Sequence, residues 1–243
     1  VSIGWANNEI GVIQPLTAIK HVLRQHEVRN NTNTIFHTDV GQGILYRAMQ
    51  IHTLGADMLV LGGAKIYGPH GISALYVNNR VGIAPIILGG GQERGLRAGT
   101  ENVALAAGFA EALEQAASER TVEAKRLGKL RDLLAGGLTA GIPGSIVNGE
   151  LKSALPHMLN ISIPNIHGEY LMLALAHAGI SVSTKSACSE GETSSHVVAR
   201  LAEAEADSSG MSVQIWRSEN TLRFSLGRST SASDIKKTIE QCV

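Results

Sequence analysis

Three apolar runs of this 243-residue chain each lead to polar side chains that could take part in catalysis. The run VSIGWA is followed by Asn8, and the run MLVLGGA is followed by Lys65. A third run, IFHTDV, contains Asp39 near its end, with Gln42 a few residues on. In open α/β sheets, ligands bind beyond the carboxyl ends of the strands. We therefore predict that amides, a carboxylate and a lysine converge on one crevice.

A lysine and a carboxylate in one crevice are the pair that pyridoxal phosphate requires. The lysine amine forms a Schiff base with the cofactor, and the acid keeps the pyridine nitrogen protonated so that the ring accepts electrons. Each residue also has a simpler interpretation. Lys65 would be solvated, Asp39 would cap a following helix, and Asn8 would belong to a turn. Residue types alone leave these alternatives open.

Apolar runs alternate with helical patterns in the first half of the chain, which predicts an α/β fold with an open, mostly parallel sheet. A helix over residues 16–25 follows Pro15 and completes a βαβ unit. The glycine-rich residues 82–99 fit neither a helix nor a strand and indicate a functional loop. Strands are predicted at residues 1–6, 34–40, 57–62 and 71–77.

The second half of the chain predicts a smaller α+β unit. An Ala- and Leu-rich helical pattern over residues 101–138 is long enough to bridge two domains. A last helix is expected near Ser231, with Asp234 as its capping-box partner. We place the boundary near residue 121, which gives domains 1–121 and 122–243. The remaining elements are strands at 146–149, 159–163, 181–183 and 220–226 and a helix at 169–178.

The amino-acid composition limits the kinds of binding partner and the cellular compartment that we expect for this protein. Lys plus Arg and Asp plus Glu both number 21, so neither nucleic acid nor an anionic membrane surface is favoured as a partner. The two cysteines, Cys188 and Cys242, are too few for a disulfide scaffold, and a reducing cytoplasm is predicted. Neither His167 nor His196 has partners at metal-ligand spacing, so no metal site is predicted.

Six collinear segments resemble the cysteine desulfurases, the pyridoxal-phosphate enzymes that supply sulfur for iron-sulfur clusters and thio-cofactors. The similarity runs in order along almost the whole chain. This family belongs to the fold type I, class V aminotransferase-like enzymes, whose large cofactor domain is followed by a smaller C-terminal domain. The segments are NNEIGVIQP (7–15), FHTDVGQ (36–42), KIYGPHG (65–71), GGGQERGLRAGTEN (89–102), SAC (186–188) and RFSLGR (223–228).

The resemblance assigns cofactor roles to four residues. It implies that Lys65 is the Schiff-base lysine and that Asp39 is the partner of the pyridine nitrogen. Gln42 and Asn8 would form hydrogen bonds with the ring hydroxyl, and Asn8 would also lie near the substrate carboxylate. Thr100 would bind the phosphate of the neighbouring subunit's cofactor, which implies a homodimer.

The substrate-facing roles fall on two further residues. Arg223 would clamp the carboxylate of L-cysteine, a task suited to the planar guanidinium. The Cys188 thiolate would attack the substrate sulfur, keeping it as a persulfide and releasing L-alanine; Lys185 is one candidate to activate it. A sulfur-acceptor protein, such as an iron-sulfur scaffold, would receive the sulfur. Cys242 is interpreted as structural.

The chain also departs from the family pattern. Most members carry serine and histidine where this chain has Gly62 and Ala64, and both help to hold the phosphate. We hypothesise that the N–H groups of Gly62 and Gly63 compensate as an anion nest. A phosphate turn and a ring-stacking histidine are expected upstream of Val1, so the chain is interpreted as N-terminally truncated and expected to fold poorly alone. Residues 206–218 follow no family pattern.

Two other functions stay open at this point. One is a related pyridoxal-phosphate lyase or aminotransferase, which would share Lys65 and Asp39 but would not need Cys188. The other is a non-catalytic truncated remnant that only dimerises or docks a sulfur-acceptor protein.

Overall fold

The computed structural model describes residues 1–186, 194–210 and 212–243. The chain forms two compact units. The first contains Val1–Trp5 and Gln14–Arg120, and the second contains Ala6–Ile13 and Thr121–Val243. Helices and strands occur in both units, which confirms the α/β class.

A mixed three-stranded sheet forms the centre of the first unit. Its order is β1-β2-β3, with β1 parallel to β2 and β3 antiparallel to β2. Leu59 and Leu61 of β2 are buried, as expected of a central strand. The elements are α1 (Leu16–Asn30), β1 (His37–Asp39), α2 (Ile51–Leu54), β2 (Met58–Gly62), a 3-10 helix (Gly63–Ile66), β3 (Ser73–Val77) and a 3-10 helix (Glu93–Gly95).

The predicted strand at residues 1–6 is wrong in detail. Only an isolated parallel bridge joins Ser2 to His37, although the backbone N–H groups of Ile3 and Trp5 still donate to β1 carbonyls. The pairing is short because the chain leaves the first unit at Ala6. The apolar run therefore identified the neighbour of β1 but not a regular strand, and only its Trp5 and Ala6 are buried.

An antiparallel sheet and one face of a long helix form the core of the second unit. The helix α3 (Val103–Gly141) begins in the first unit, and its Leu127, Leu134 and Leu138 are fully buried. All five residues of β5 are buried between β4 and β6. The other elements are β4 (Ile146–Val147), a 3-10 helix (Leu151–Ser153), β5 (Met158–Ser162), α4 (Gly168–His177), α5 (His196–Ser209), α6 (Trp216–Glu219), β6 (Thr221–Ser225) and α7 (Ala232–Cys242).

Two predictions for the second unit have opposite outcomes. The capping box at the start of α7 is confirmed, with reciprocal hydrogen bonds between Ser231 and Asp234. The predicted strand at 181–183 is wrong, because only an isolated bridge joins Ser183 to Arg223. In the part of the chain that the structure describes, no helix combines the length and apolarity needed to cross a membrane.

Candidate functional site

Asp39 lies at the carboxyl end of β1, and Lys65 lies just beyond the carboxyl end of β2, the adjacent parallel strand of the first unit. Asp39 is the last residue of β1 and pairs in register with Val60 of β2, and Lys65 lies in the 3-10 helix that follows β2. Gly41 lies against both side chains: a methyl group there would be 3.1 Å from Asp39 Oδ1 and 3.5 Å from Lys65 Cγ. The structure therefore brings the predicted lysine and carboxylate together.

Both side chains retain unused polar atoms. Lys65 is exposed, and its Nζ has no hydrogen bond or ion pair with any described residue. Asp39 accepts one hydrogen bond at Oδ1, from the Gly41 N–H at 2.8 Å, and Oδ2 has no partner within the described ranges. Asp39 caps no helix, because residues 41–47 form turns and a bend. An unpaired amine beside an accessible carboxylate is suited to binding a ligand that carries both an electrophile and a basic nitrogen.

The proposed anion nest at Gly62 and Gly63 is wrong. The Gly63 N–H already donates to the Ile72 carbonyl at 2.9 Å, so the two amides cannot both turn towards a phosphate. Space is nevertheless present at Gly62, where an added methyl group would meet only the Ser73 hydroxyl, at 3.6 Å. Gly62 also has an ordinary extended conformation, with φ of −99°.

Gln42 and Thr100 also belong to the first unit. Gln42 is half-buried in the turn after β1, directly beyond Gly41. Thr100 is exposed at the end of the glycine-rich loop, two residues before Asn102, whose side chain accepts from the Leu105 N–H at the start of α3. The roles of both remain predictions.

Asn8 and Arg223 belong to the second unit and are in direct contact. Arg223 lies on β6, and its Nη1 donates to the Asn8 carbonyl at 2.9 Å. Its Nε is buried without a hydrogen-bond partner among the described residues. Burial lowers the pKa of Arg223, and the negative charge of Glu9 partly offsets this. Because a buried donor without an acceptor is costly, this nitrogen is available to a ligand.

Asn8 is not the turn-forming residue of its segment. The side chain of Asn7 makes the turn, accepting from the N–H groups of Glu9 and Ile10 at 2.8 and 3.0 Å. Asn8 Nδ2 instead donates to the Ser186 hydroxyl at 3.0 Å. The predicted nucleophile Cys188 lies outside the described residues. Lys185, its predicted activator, lies with Nζ 3.6 Å from the Glu169 carboxylate.

Sequence reasoning missed a buried carboxylate directly after Asn8. Glu9 is only 1% exposed, and its Oε2 accepts from the Ser195 hydroxyl at 2.5 Å. The sequence offered one signal, an acidic residue between an amide pair and an apolar run, but burial of that residue depends on partners far away in the chain. Cys242 is half-buried, and this partial burial raises the pKa of its thiol to about 11.

A second missed feature is the polar network around Arg217, in the segment that followed no family pattern. Arg217 is buried, and its Nε and Nη2 donate to Asn148 Oδ1 at 3.1 and 2.7 Å. Its Nη1 forms an ion pair with Glu205. Asn148 in turn donates to Asn160 and Ser162, both at 2.7 Å. The network joins α5 and α6 to the central strand.

Comparison with known proteins gives sequence relatives along almost the whole chain. Cysteine desulfurase IscS of Dictyoglomus turgidum is 35% identical over 241 residues, which are 99% of this chain and 57% of the relative. Cysteine desulfurase IscS 1 of Archaeoglobus fulgidus is 37% identical over 241 residues, 99% of this chain and 58% of the relative. The chain thus spans a little under three fifths of the length of these relatives.

Solved structures show the same similarity in three dimensions. A NifS-like protein superposes with a TM-score of 0.83 at 33% identity, over 100% of this chain and 59% of that protein. A NifS-like protein from Rickettsia africae gives a TM-score of 0.82 at 30% identity, over 99% of this chain and 60% of that protein. The family described as aminotransferase class-V matches residues 1–238. The chain therefore belongs to the class-V aminotransferase family.

Proposed function

We propose that this chain forms part of a cysteine desulfurase, which uses pyridoxal phosphate to convert L-cysteine to L-alanine and leaves a persulfide on Cys188. The observation that carries the proposal is the unpaired amine of Lys65 beside the Asp39 carboxylate, at the carboxyl ends of two parallel strands. The names of the relatives support the same activity.

The first unit offers groups that fit pyridoxal phosphate. Lys65 Nζ is free to hold the aldehyde covalently, and Asp39 Oδ2 is free to keep the pyridine nitrogen protonated. Gly41 keeps the space beside both side chains open. When bound, the cofactor supplies the electron sink that makes the α-proton of an amino acid labile. Gln42 would form a hydrogen bond with the ring hydroxyl, a role that the family resemblance also assigns to Asn8 of the second unit.

Arg223 is suited to binding the carboxylate of L-cysteine. Its buried Nε has no acceptor among the described residues, and Nη1 is fixed by the Asn8 carbonyl. A substrate carboxylate would supply the missing acceptor in a bidentate, charge-assisted pair. Asn8 would lie beside the same carboxylate, since its carbonyl already contacts the guanidinium.

The chain's own groups account for the proton and sulfur transfers. Lys65, as a free amine, would take the α-proton of the bound cysteine. The Cys188 thiolate would then attack the substrate sulfur: an S–S bond forms, the bond from sulfur to Cβ breaks, and its electron pair and a proton end on Cβ to give alanine. Cysteine and thiol are converted to alanine and persulfide with no external oxidant.

Several finer assignments belong to the same proposal. Residues 1–121 would be part of the large cofactor domain of a fold type I enzyme, and residues 122–243 would be the smaller C-terminal domain. The protein would act as a homodimer, with Thr100 binding the phosphate of the partner subunit's cofactor. A sulfur-acceptor protein such as an iron-sulfur scaffold would receive the persulfide sulfur, in the cytoplasm.

The test is to purify the protein with pyridoxal phosphate and measure its visible absorbance, then add L-cysteine. We expect an absorbance band that Lys65→Ala abolishes, followed by alanine release and the mass of one sulfur atom gained at Cys188. Lys129→Ala is the matched control, because Lys129 is also an exposed lysine without a partner in the described residues. A band retained in Lys65→Ala, or alanine formed without sulfur on Cys188, would contradict the proposal.

A related lyase or aminotransferase is the alternative within the same family, supported by the family match alone. Cys188→Ala separates the two. Loss of sulfur release with the absorbance band intact supports the desulfurase, whereas unchanged turnover of an amino acid supports the alternative. A non-catalytic remnant would show neither the band nor turnover.

A further inference from the structure

A cavity of about 330 Å³ lies at the amino end of β2, within the first unit. Its lining includes three cationic side chains and one carboxylate: Lys20 and Arg24 of α1, Arg80 after β3, and Asp57 directly before β2. Lys65 lies beyond the other end of β2, a strand of five residues that spans about 17 Å. The cavity is therefore separate from the groups proposed to bind the cofactor.

Asp57 is buried and is shared by two of the cations. Its Oδ2 accepts from Lys20 Nζ at 3.0 Å, and its two oxygens accept from the Arg80 guanidinium at 2.8 and 2.6 Å. The Phe36 N–H also donates to Oδ2, at 2.9 Å. One negative charge therefore faces two positive charges at this end of the sheet, and the carboxylate already has four donors.

Lys20 keeps unused donors at a buried position. The residue is 9% exposed, and a methyl group at Gly55 would be only 3.0 Å from its Cγ, so the backbone of Gly55 lies against its stem. An ammonium group has three N–H bonds, and among the described residues only Asp57 accepts one of them. The Phe36 ring, with its centroid 5.9 Å from Nζ, adds a weaker attraction. An anion in the cavity would use the remaining donors, which are costly to leave unpaired.

Two further side chains offer donors to the same cavity. Arg24 donates through Nη1 to the Glu27 carboxylate at 2.9 Å, whereas its Nε and Nη2 have no acceptor in the described ranges. His52 of α2 also lines the cavity, and its ring has no hydrogen bond to a described residue. When Glu27 is counted with Asp57, the three cations still exceed the two carboxylates by one charge. The charge balance therefore favours an anionic ligand.

We propose that this cavity binds the phosphate group of a small phosphate ester. Lysine binds phosphate as a point charge and arginine binds it through several donors. Lys20 and Arg24 belong to α1 and His52 to α2, so donors from two helices can reach different oxygens of one tetrahedral group. Ile51 and Tyr76 line the same cavity and offer apolar and aromatic surface to the rest of the ester. The volume is at the lower end of the range for small-molecule sites, roughly 300–1,000 Å³.

The test is calorimetric titration of the full chain with phenyl phosphate, in the parent protein and in four variants. We expect one site per chain. Lys20→Met and Arg24→Gln should each weaken binding about tenfold, because each removes charged donors. Arg29→Gln is the matched control, since Arg29 is an exposed arginine on the same helix with no partner among the residues described. Lys65→Ala should bind as tightly as the parent protein, because Lys65 lies beyond the opposite end of β2.

Several results of this titration would overturn the inference. One is the absence of binding to the parent protein at millimolar phenyl phosphate. Others are an unchanged affinity in both Lys20→Met and Arg24→Gln, or an equal loss in Arg29→Gln. A loss confined to Lys65→Ala would place the phosphate at the cofactor-binding groups instead, and would also contradict it.

Two other probes test the chemical class of the ligand. Benzoate carries a planar carboxylate on the same ring and should bind about tenfold more weakly than phenyl phosphate. Inorganic phosphate lacks the ring and should bind about fivefold more weakly, because it makes no contact with Ile51 and Tyr76. Benzoate of equal affinity would contradict the choice of phosphate, and inorganic phosphate of equal affinity would contradict the choice of an ester.

Urea unfolding gives a readout that does not depend on heat of binding. Phenyl phosphate should raise the unfolding midpoint of the first unit, followed by Trp5 in Trp216→Phe protein, and should raise it less in Arg24→Gln. Lys20→Met should fold, because the Arg80 pair with Asp57 remains. If it does not fold, Arg24→Gln decides, since the Arg24 side chain is 53% exposed. An equal shift of the midpoint in Arg24→Gln and the parent protein would overturn the inference.

Discussion

The site residues of the two units, including the unpredicted Glu9, differ in how they are held. In the first unit, Lys65 and Asp39 are exposed and keep unused polar atoms among the described residues. In the second unit, the buried Glu9 and the half-buried Asn8 and Arg223 are held by hydrogen bonds and charge. The first group is left free for a ligand to complete, whereas the second group is fixed by the protein except at Arg223 Nε, which has no acceptor among the described residues.

This difference predicts that substitutions in the two groups separate binding from stability. Residues that hold nothing can be changed without unfolding the protein, but their ligand is lost. Residues that hold buried neighbours leave unpaired polar atoms behind when they are removed, and those atoms cost stability.

The largest effect is expected at Arg217. Arg217→Leu leaves the buried Asn148 Oδ1 without its two charged donors, each worth about 1.5–3 kcal/mol, and should lower the free energy of unfolding of the second unit by about 3–5 kcal/mol. The Glu205 carboxylate is half exposed and can be solvated instead. Lys65→Ala should change the unfolding of the first unit by less than about 0.5 kcal/mol. Urea unfolding measures both, because Trp5 lies in the first unit and Trp216 in the second.

In a Trp216→Phe background, tryptophan fluorescence reports on the first unit alone, and in a Trp5→Phe background it reports on the second unit alone. Arg200→Leu is the matched control for Arg217→Leu, since its side chain is 79% exposed and its one ion pair within the described ranges is with Glu203. The contrast breaks down if Lys65→Ala destabilises its unit as much as Arg217→Leu destabilises the other.

The sequence predicted the free group better than the held group, for a physical reason. Lys65 and Asp39 follow strands whose apolar runs are local signals, so a pattern of strand ends located them. No role was predicted for Glu9, because its partner Ser195 is 186 positions away. Arg217 and Asn148 are 69 positions apart, and the local sequence around neither residue predicts their hydrogen bond.

In the fold too, features that depend on local sequence were predicted better than features that depend on distant contacts. Patterns of apolar residues located β2, β3 and α4 to within about two residues, and the capping box located the start of α7. They could not show that Ala6–Ile13 packs with the second unit, because the choice of partner depends on tertiary contacts. Residues 181–183 were predicted to be a strand, but they form only one isolated bridge, because regular pairing also depends on tertiary contacts.

A smaller effect is expected on the pH dependence of stability. Burial, together with the charges of Arg131 and Arg223, lowers the pKa of His157 to about 4. A histidine that is neutral when folded but protonated when unfolded stabilises the fold fully above its unfolded pKa of about 6.5. The second unit should therefore lose up to about 3 kcal/mol as the pH falls from about 6.5 to about 4.

The first unit should respond at lower pH. Burial opposes ionisation of Asp57, but hydrogen bonds from Arg80, the Phe36 N–H and Lys20 hold the pKa of its carboxyl well below its usual range. Its contribution is present above the unfolded pKa of about 3.9 and is lost only as the pH falls below that value. Urea unfolding at a series of pH values checks this order, and His157→Gln should flatten the loss in the second unit. Loss of stability at the same pH in both units would contradict the expectation that the second unit is destabilised first.

The smallest effect is expected at the phosphate positions. Gly62→Ser with Ala64→His should tighten pyridoxal phosphate binding about tenfold, or about 1.4 kcal/mol, because the Gly63 N–H is already engaged and compensates poorly. The space at Gly62 predicts unchanged stability. Spectroscopic titration with the cofactor measures the affinity. An affinity that does not change would mean that other groups already satisfy the phosphate.

The most direct test of the contrast between a free and a held group is the covalent position of the cofactor. The protein is incubated with pyridoxal phosphate, reduced with borohydride, digested, and mapped by mass spectrometry. The free amine beside Asp39 predicts that the reduced pyridoxyl phosphate group is found on the peptide that contains Lys65, and that Lys65→Ala carries none. A modified lysine elsewhere in the chain, with Lys65 unmodified, would contradict the account.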